Sequence, residues 1–359
     1  MSPTTPTSPR AVDVVVPCYN YARFLHRNVE SILDQRGVDV RVLIIDDASS
    51  DDTPQVGQEL AAHPHVAFRR HAKNLGHIAT YNEGILAWAS AKYTMLLSAD
   101  DWLTAGALAR AVDLLEAYPD CGFVFGFALI VADRPPHLPA LDGRRCILTG
   151  KDYITHVVNH ANPVPTPTVV VRTALQQKLG GYRTELPHSG DMELWLRFAA
   201  HGSVGIIRDV QAYYSWHGRN MGRDYYYGAL GDLEEQEAAA VSGLNEWPDG
   251  RRDTWLGELR RRLAQQSFWL AHRAFDAGKE SEMLRCLEFC KRNSPTIVAS
   301  RQWLKLRLKR AIGRSPWSTL EPLARKLRGL PPSAEKSGEH FGVGTLTGWG
   351  PSAESCWSA

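Results

Sequence analysis

The chain has 359 residues, 44% of them hydrophobic and 22% charged, and it carries a formal net charge of +2. This length and composition fit a globular protein with a substantial core, built from one large domain and a smaller part. The small net charge argues against a protein that binds nucleic acid through phosphate contacts, and no apolar run reaches the roughly 18 residues that span a bilayer.

Strands and helices alternate along the first third of the chain. Residues 1–10 are rich in Pro, Ser and Thr, which predicts a disordered leader. Short β-branched runs predict strands at 11–17, 40–47, 65–70, 93–98 and 121–132, and amphipathic stretches predict helices at 21–35, 49–63, 76–91 and 104–118. Repeated strand–helix–strand units build parallel sheets through right-handed crossovers. We therefore expect an α/β fold with an open, mainly parallel sheet flanked by helices.

The rest of the chain is less regular. Residues 135–162 show no clear pattern, and they are followed by a strand, a helix that opens at Asp191 and strands that end near His217. Two helices joined by a short turn occupy much of 229–300, and 301–330 is basic and amphipathic. Residues 331–359 predict a disordered tail. The expected organisation is a main domain over 11–228, an α-helical hairpin region over 229–300, and these two terminal segments.

The spacing of the six cysteines indicates the redox state of the compartment in which the protein works. They form no CxxC pairs and lack the density of a disulfide scaffold, so we expect reduced thiols in a cytoplasmic protein.

Two pairs of acidic residues follow predicted strands at the points where the strands end. Asp46 and Asp47 close the second strand, and Asp100 and Asp101 follow the fourth. Ligands of parallel sheets bind beyond the carboxyl ends of the strands, so both pairs should share one edge. Adjacent carboxylates repel each other unless a cation neutralises them, and Mg²⁺ and Mn²⁺ prefer oxygen ligands. The second pair predicts a metal site and the first a contact to a base or ribose, and helix capping or a solvated turn is the alternative for each.

Several motifs, in this order, resemble those of the family 2 glycosyltransferases. The resemblance covers about residues 12–221 and implies the GT-A fold, a Rossmann-like open sheet, here with a C-terminal helical extension. It rests on VVVPCYNYARFLHRNVESILDQ from Val14, VLIIDDASSDDT from Val42, KNLGHIATYNEGI from Lys73, YTMLLSADDWL from Tyr93, GDMELWLRFAAHG from Gly190 and YYSWHGRNM from Tyr213.

The resemblance also implies roles for individual residues. Asp191 matches the catalytic base, and a helix N-terminus at this point would keep its carboxylate ionised. His217 matches a histidine near the diphosphate that is a metal ligand in some relatives, although a structural role is equally open. The metal site would consist of Asp100, Asp101 and His217. The nucleotide-sugar site would consist of Pro17, Tyr19, Asn20, Asp46, Lys73, Asn74, Gly76, Ser98 and Asp100.

Two positions depart from the family pattern. Ser98 replaces the first Asp of the DxD motif, and because a hydroxyl is a poorer cation ligand, the metal would depend on Asp100 and Asp101. Gly190 stands where relatives often have Glu, which leaves Asp191 as the base candidate of that segment. The alternative role for Asp191 is an N-cap of the following helix.

The function implied is inverting transfer of a single sugar from a nucleotide-diphosphate sugar, usually UDP-linked, to a hydroxyl of a sugar or lipid-linked acceptor. Mn²⁺ or Mg²⁺ would be the cofactor, and the product would be a polysaccharide, glycolipid or other glycoconjugate. Two alternatives stay open: a non-catalytic nucleotide-sugar-binding scaffold, which Ser98 allows, and a nucleotidyltransferase. A nucleotidyltransferase would need a Gly- and Lys/Arg-rich phosphate loop, whereas PCYNYARF has one Arg and no Gly.

The C-terminal part suggests two kinds of partner. The basic segment over 301–330 predicts peripheral contact with the inner face of a membrane, with packing on the main domain as the alternative. The helical hairpin predicts a scaffold or a homo-oligomer contact.

Overall fold

The structure is a computed structural model, and it describes residues 10–132, 137–139, 141–217, 230–314, 316–317 and 345–347. Residues 1–9 of the predicted leader and most of the predicted tail lie outside the described residues. The same holds for residue 315 and residues 318–330 of the predicted basic segment.

The described strands form one sheet in the order β3-β2-β1-β4-β8-β6-β9-β5, with β10 paired to β6 and β7 paired to β9. Neighbours within β3-β2-β1-β4 run parallel, as predicted, and β6 runs parallel to β9. β8, β5, β7 and β10 pair antiparallel, so the α/β class is confirmed and the sheet beyond β4 is mixed. The strands are β1 (Ala11–Cys18), β2 (Asp39–Asp46), β3 (Val66–Arg70), β4 (Tyr93–Leu96), β5 (Trp102–Leu103), β6 (Cys121–Val131), β7 (Arg145–Leu148), β8 (Val170–Arg172), β9 (Ser203–Ser215) and β10 (Leu346–Thr347).

Helices cover both faces of the sheet. They are α1 (Ala22–Leu33), α2 (Thr53–Leu60), α3 (His77–Asn82), α4 (Ala107–Ala117), α5 (Gly150–Asn159), α6 (Thr173–Leu179), α7 (Gly190–Ala199), α8 (Leu230–Gly243), α9 (Arg251–Asp276), α10 (Glu280–Asn293) and α11 (Arg301–Ile312). A π-helical turn at Glu83–Trp88 continues α3, and short 3₁₀ turns lie at Thr166–Thr168 and Pro295–Ala299.

The expectation of an irregular segment at 135–162 is wrong, because β7 and α5 lie there. A local signal for α5 exists: the hydroxyl of Thr149 accepts a hydrogen bond from the backbone N–H of Asp152, as an N-cap does. β7 has only four residues, too few for an alternating pattern to be visible.

Two apolar layers flank the sheet. On one face, α1 and α4 pack against it through residues such as Leu25 and Leu108, which are fully buried. On the other face, a single apolar cluster extends from Val15 of β1 through Trp195 of α7 to Trp303 of α11. The C-terminal helices therefore share a core with the sheet. No described helix is long and apolar enough to cross a membrane.

The cysteines differ from expectation at one position. Cys18, Cys121, Cys286 and Cys290 are free and buried, as predicted. Cys146 is disulfide-bonded, so the expectation of reduced thiols throughout is wrong there.

Candidate active site

A cavity of about 1010 Å³ opens at the carboxyl ends of β1, β2 and β4, between the sheet and helices α7 and α8. Its position follows the rule for parallel sheets, whose ligands bind beyond the strand ends. The predicted site residues that line it are Pro17, Tyr19, Asn20, Asn74, Gly76, Ser98, Asp100, Asp101 and Asp191.

The loop after β1 is fixed to the loop after β2. Asn20 has a positive φ of 60°, a conformation that Asn tolerates better than most residues. The backbone N–H of Asn20 donates to Ser49 Oγ at 2.8 Å, and the backbone N–H of Ser50 donates to Asn20 Oδ1 at 2.8 Å. Tyr19, which is 48% exposed, therefore stands at the cavity wall on an anchored turn.

The two acids that end β2 occupy different places. Asp46 is fully buried, where its carboxylate accepts a hydrogen bond from the Ser49 N–H at 2.8 Å and lies 3.3 Å from Arg70 Nε. Asp47 is the one of the two that lines the cavity. The contact to a nucleotide base that was predicted for Asp46 stays a prediction, and Asp47 is the acid that faces the space.

Asp47 organises the loop that was predicted to lie beside the nucleoside. Its carboxylate accepts hydrogen bonds from the N–H groups of Leu75 and Gly76 at 2.8 and 2.9 Å. His71 Nδ1 lies 2.7 Å from the same carboxylate and His71 Nε2 lies 2.8 Å from Glu83. Lys73 of this loop is exposed and does not line the cavity.

Hydrogen bonds from a residue of α1 hold the loop that carries Asp100 and Asp101. The side-chain amide of Asn28, which is fully buried, donates to the carbonyls of Ser98 and Asp101 at 2.9 and 2.8 Å. The Asp101 carboxylate accepts from the Ser215 N–H at 2.8 Å, and burial followed by the charge of Asp100 raises the pKa of Asp101. Asp101 therefore ties the loop to β9.

Asp100 and His217 form the second contact between this loop and the end of β9. His217 Nε2 lies 3.0 Å from Asp100 Oδ2, and the imidazole ring stacks on Phe24 with ring centres 5.1 Å apart. Two ligand atoms about 3 Å apart match the separation of neighbouring ligands around an ion bound at about 2.1 Å. Carboxylate oxygen and imidazole nitrogen both suit Mn²⁺, so this pair fits a divalent cation.

The rest of a metal coordination shell does not come from the described protein residues, among which no group of three or more His, Cys, Asp or Glu is placed to hold an ion. One carboxylate oxygen of Asp101, which was predicted to be a metal ligand, accepts a hydrogen bond from the Ser215 N–H. Magnesium-type sites commonly use one or two protein ligands and take the others from phosphate and water.

Asp191 lies at the start of α7 and lines the cavity. Asn162 Nδ2 and Thr166 Oγ1 lie 3.3 and 3.4 Å from its Oδ2, and the Met192 N–H donates to its Oδ1 at 2.6 Å. Burial raises the pKa of Asp191 to about 6 despite these hydrogen bonds. Desolvation therefore outweighs the helix N-terminus in setting the pKa, and the expectation that the carboxylate is ionised holds only above about pH 6. Asp191 is also not the N-cap, a position that Ser189 takes.

The helix that carries Asp191 is anchored by a buried ion pair. Glu193 is fully buried and receives Arg197 Nη2 at 2.7 Å, Arg183 Nε at 2.8 Å and the Ser242 hydroxyl at 3.0 Å. Such a paired, fully hydrogen-bonded charge fixes geometry.

Helix α8 contributes two residues to the cavity that no sequence pattern indicated. Asp232 and Gln236, one helical turn apart, line it on the side of Asp191. Gln236 Nε2 donates to Asp232 Oδ2 at 3.1 Å, and burial raises the pKa of Asp232. No local motif marks these residues, and their side of α8 becomes evident only from its packing on α7.

Comparison with known proteins agrees with this arrangement. The model of the family "Glycosyl transferase family 2" matches residues 13–159, which contain most of β1, β2 to β7, α1 to α5 and the Asp100 loop. A relative, MT1568 of Mycobacterium tuberculosis, is 27% identical over 210 residues, which are 55% of this chain and 64% of that protein. The chain thus spans slightly less than two thirds of that relative.

Two solved structures share the fold. Residues 1–349 of TarS from S. aureus, in complex with UDP-GlcNAc, superpose with a TM-score of 0.61 at 17% identity, covering 94% of this chain and 99% of that one. The mannosyltransferase PcManGT from Pyrobaculum calidifontis, in complex with GDP-Man and Mn²⁺, gives a TM-score of 0.51 at 17% identity, covering 88% and 86%. Residues 13–159 therefore match glycosyl transferase family 2, and the chain shares its fold with these two solved structures.

Proposed function

We propose that this glycosyltransferase transfers one sugar from a nucleotide-diphosphate sugar to an acceptor hydroxyl, with inversion at the anomeric carbon. The observation that carries the proposal is that one cavity is lined both by Asp100, which pairs with His217 at the end of β9, and by the half-buried carboxylate of Asp191, whose pKa is about 6. The product would belong to polysaccharide, glycolipid or other glycoconjugate biosynthesis.

The donor would lie along the loops after β1, β2 and β4. Tyr19 offers a ring face for a base, and Asp47 and Asn74 offer hydrogen-bond acceptors at the nucleoside end of the cavity. UDP is the nucleotide we favour, since the fold neighbour TarS binds UDP-GlcNAc, while the neighbour PcManGT binds GDP-Man.

Asp100 and His217 would hold a Mn²⁺ or Mg²⁺ ion, which when bound neutralises the charge of the departing diphosphate. Asp101 and Ser98 would keep the loop in place rather than coordinate directly.

Asp191 would remove the proton of the acceptor hydroxyl while its oxygen attacks the anomeric carbon. The new C–O bond forms as the bond to the diphosphate breaks, so one displacement inverts the carbon. A base whose pKa lies near the working pH combines a large ionised fraction with a useful proton affinity. Asn162 and Thr166 would orient the carboxylate.

A donor screen tests the proposal. Melting temperature and product release are measured with UDP-glucose, UDP-galactose, UDP-GlcNAc and GDP-mannose, in Mn²⁺ and in EDTA. We expect stabilisation by at least one donor, strengthened by Mn²⁺, and slow hydrolysis of that donor. Asp100→Asn should lose the Mn²⁺ effect, whereas Asp120→Asn, at an exposed position on the opposite edge of the sheet, should keep it. Donor binding without any turnover would instead support a non-catalytic scaffold.

The described part of the basic segment supports a peripheral membrane contact. Helix α11 has five basic residues and no acidic ones, and it leaves Leu304 and Leu308 more than half exposed, one turn apart. We propose that this face contacts anionic lipid. Leu304→Ser with Leu308→Ser should abolish sedimentation with phosphatidylglycerol vesicles, and Leu284→Ser, an exposed leucine of α10, should not. Equal binding of phosphatidylcholine vesicles would contradict the charge argument.

Two further expectations remain predictions. A cytoplasmic location would be tested by cell fractionation, and a homo-oligomer by the mass of the purified protein in solution.

A further inference from the structure

Helix α8 lines the same cavity as Asp191, and the loops proposed to bind the donor come from other elements of the fold. It belongs to the region for which the sequence predicted a scaffold. Its residues Asp232 and Gln236 point into the same space as Asp191. An acceptor hydroxyl that gives its proton to Asp191 must lie beside it, and Asp232 is near enough for its charge to act on Asp191.

The position of α8 is fixed by contacts to α7, the helix that carries Asp191. Glu235 accepts hydrogen bonds from the N–H groups of His188 and Ser189, each at 3.0 Å, immediately before α7. Gly243 packs so closely on α7 that a Cβ there would lie 2.7 Å from the carbonyl oxygen of Glu193. The α8 wall is therefore held at a defined distance from Asp191, as a binding surface must be.

The chemistry of the wall suits a neutral polyol. Asp232 supplies carboxylate oxygens and Gln236 supplies an amide that both donates and accepts, and the two side chains hydrogen-bond at 3.1 Å. A cationic ligand would also suit carboxylates, but the amide of Gln236 and the nearby guanidinium of Arg262, 3.5 Å from Gln236 Oε1, favour hydroxyl groups.

Building on the proposed function, we infer that Asp232 and Gln236 are specificity-determining residues that bind a second hydroxyl of the acceptor, adjacent to the one that reacts. The acceptor is then a sugar with neighbouring free hydroxyl groups, and the enzyme discriminates against a simple alcohol. Asp191 acts on one hydroxyl while the α8 pair holds the next.

The test measures transfer to octyl β-glucoside, octyl β-galactoside, octyl α-mannoside and 1-octanol, with the donor found in the screen above. The wild type should prefer at least one glycoside to 1-octanol. Asp232→Asn should lower kcat/KM for that glycoside about ten- to hundredfold, mainly through KM, because a hydrogen bond to a charged group is lost. Donor affinity and slow donor hydrolysis should stay within about twofold of wild type, since the variant leaves the donor loops intact.

Two further variants make the test robust. Gln236→Ala should show a similar loss, so that instability of one variant does not remove the test, and melting temperatures confirm folding. Glu234→Gln, an equal change of charge at an exposed position of the same helix, should behave as wild type. The inference is overturned if both cavity variants keep glycoside transfer within about twofold, or if the wild type shows no preference for a glycoside. A wild type that neither binds nor hydrolyses any nucleotide sugar refutes the proposed function itself, which is a separate result.

Discussion

Replacing Asp191 by Asn should abolish transfer and at the same time stabilise the fold. The exchange keeps the shape of the side chain and its acceptor oxygen for the Met192 N–H, but it removes the charge and the ability to take a proton. Asp191 lies in a mostly buried position, where desolvation raises its pKa from 3.8 to about 6.

The kinetic effect follows from the role of a general base, which contributes about 10²- to 10⁴-fold to a rate. In the wild type, only the ionised form is active. With a pKa of about 6, about one tenth of the enzyme would be active at pH 5 and about nine tenths at pH 7. We expect kcat/KM to rise through this window in the wild type and to be flat in Asp191→Asn.

The effect on stability has the opposite direction. Because the folded-state pKa is raised, the contribution of Asp191 to stability is complete below about pH 4 and is lost as the pH rises through about 6. The rise in the pKa of Asp191 from 3.8 to about 6 corresponds to at most about 3 kcal/mol of stability. Because Asp191 is partly exposed to the cavity, the expected value is about 1–2 kcal/mol. At pH 7.5 the Asn variant should therefore melt several degrees higher than the wild type.

The assay is product release at saturating Mn²⁺ across pH 5–8, together with thermal and urea unfolding at pH 7.5 and pH 4. Donor affinity should stay within about twofold, because Asp191 belongs to α7 and not to the loops after β1, β2 and β4 that are proposed to bind the donor. Transfer by Asp191→Asn within about threefold of wild type would refute the base assignment. A variant that is inactive but no more stable than wild type at pH 7.5 would show that the carboxylate is not significantly desolvated.

Three further predictions concern the scaffold. Asn28→Ala leaves the buried carbonyl of Asp101 without its side-chain donor, while the Ser98 carbonyl keeps the Asp101 N–H at 3.0 Å, so we expect a loss of about 1–3 kcal/mol in urea unfolding and weaker donor binding in Mn²⁺; a loss below about 0.5 kcal/mol would contradict this. Asp13→Ala removes the carboxylate that accepts hydrogen bonds from the buried guanidinium of Arg41 at 2.7 and 2.8 Å. The free energy of unfolding should fall by about 3–5 kcal/mol and donor affinity should not change. A loss below about 1 kcal/mol would contradict this. Burial alone would lower the pKa of His71, but its carboxylate partners raise it overall. The contribution of His71 to stability is therefore complete below about pH 6.5 and is lost as the pH rises further. The difference in melting temperature between wild type and His71→Gln should shrink towards pH 9, and a difference that stays constant would argue against it.

Much of the N-terminal half could be predicted from the sequence, since its strands are continuous apolar runs separated by amphipathic helices. The strand pairings beyond β4 could not, because they depend on contacts between distant segments: β8 inserts between β4 and β6 in the opposite direction. β5 has only two residues, too few for an alternating pattern of apolar and polar residues to be visible.

The site shows the same division. Motif positions indicated the Asp100 loop and Asp191, but only the structure shows that Asp101 bonds to Ser215 and that Asp47 faces the cavity. The sequence placed residues 230–243 only within the α-helical hairpin region, and Asp232 becomes a site residue only through the packing of that helix on α7. The pKa of Asp191 likewise depends on tertiary burial, which a helix-terminus argument does not include.

Strand β10 has a practical consequence for anyone designing expression variants. Its backbone pairs with Ala128 and Leu129 of β6, the carbonyl of Thr345 receives the Ile130 N–H at 3.0 Å, and Thr347 reaches the cavity wall. Trimming everything after residue 330 as a dispensable end would uncover this stretch of β6, and unpaired strand edges recruit other chains. Shortened versions should therefore be checked for aggregation before any loss of turnover is attributed to the chemistry.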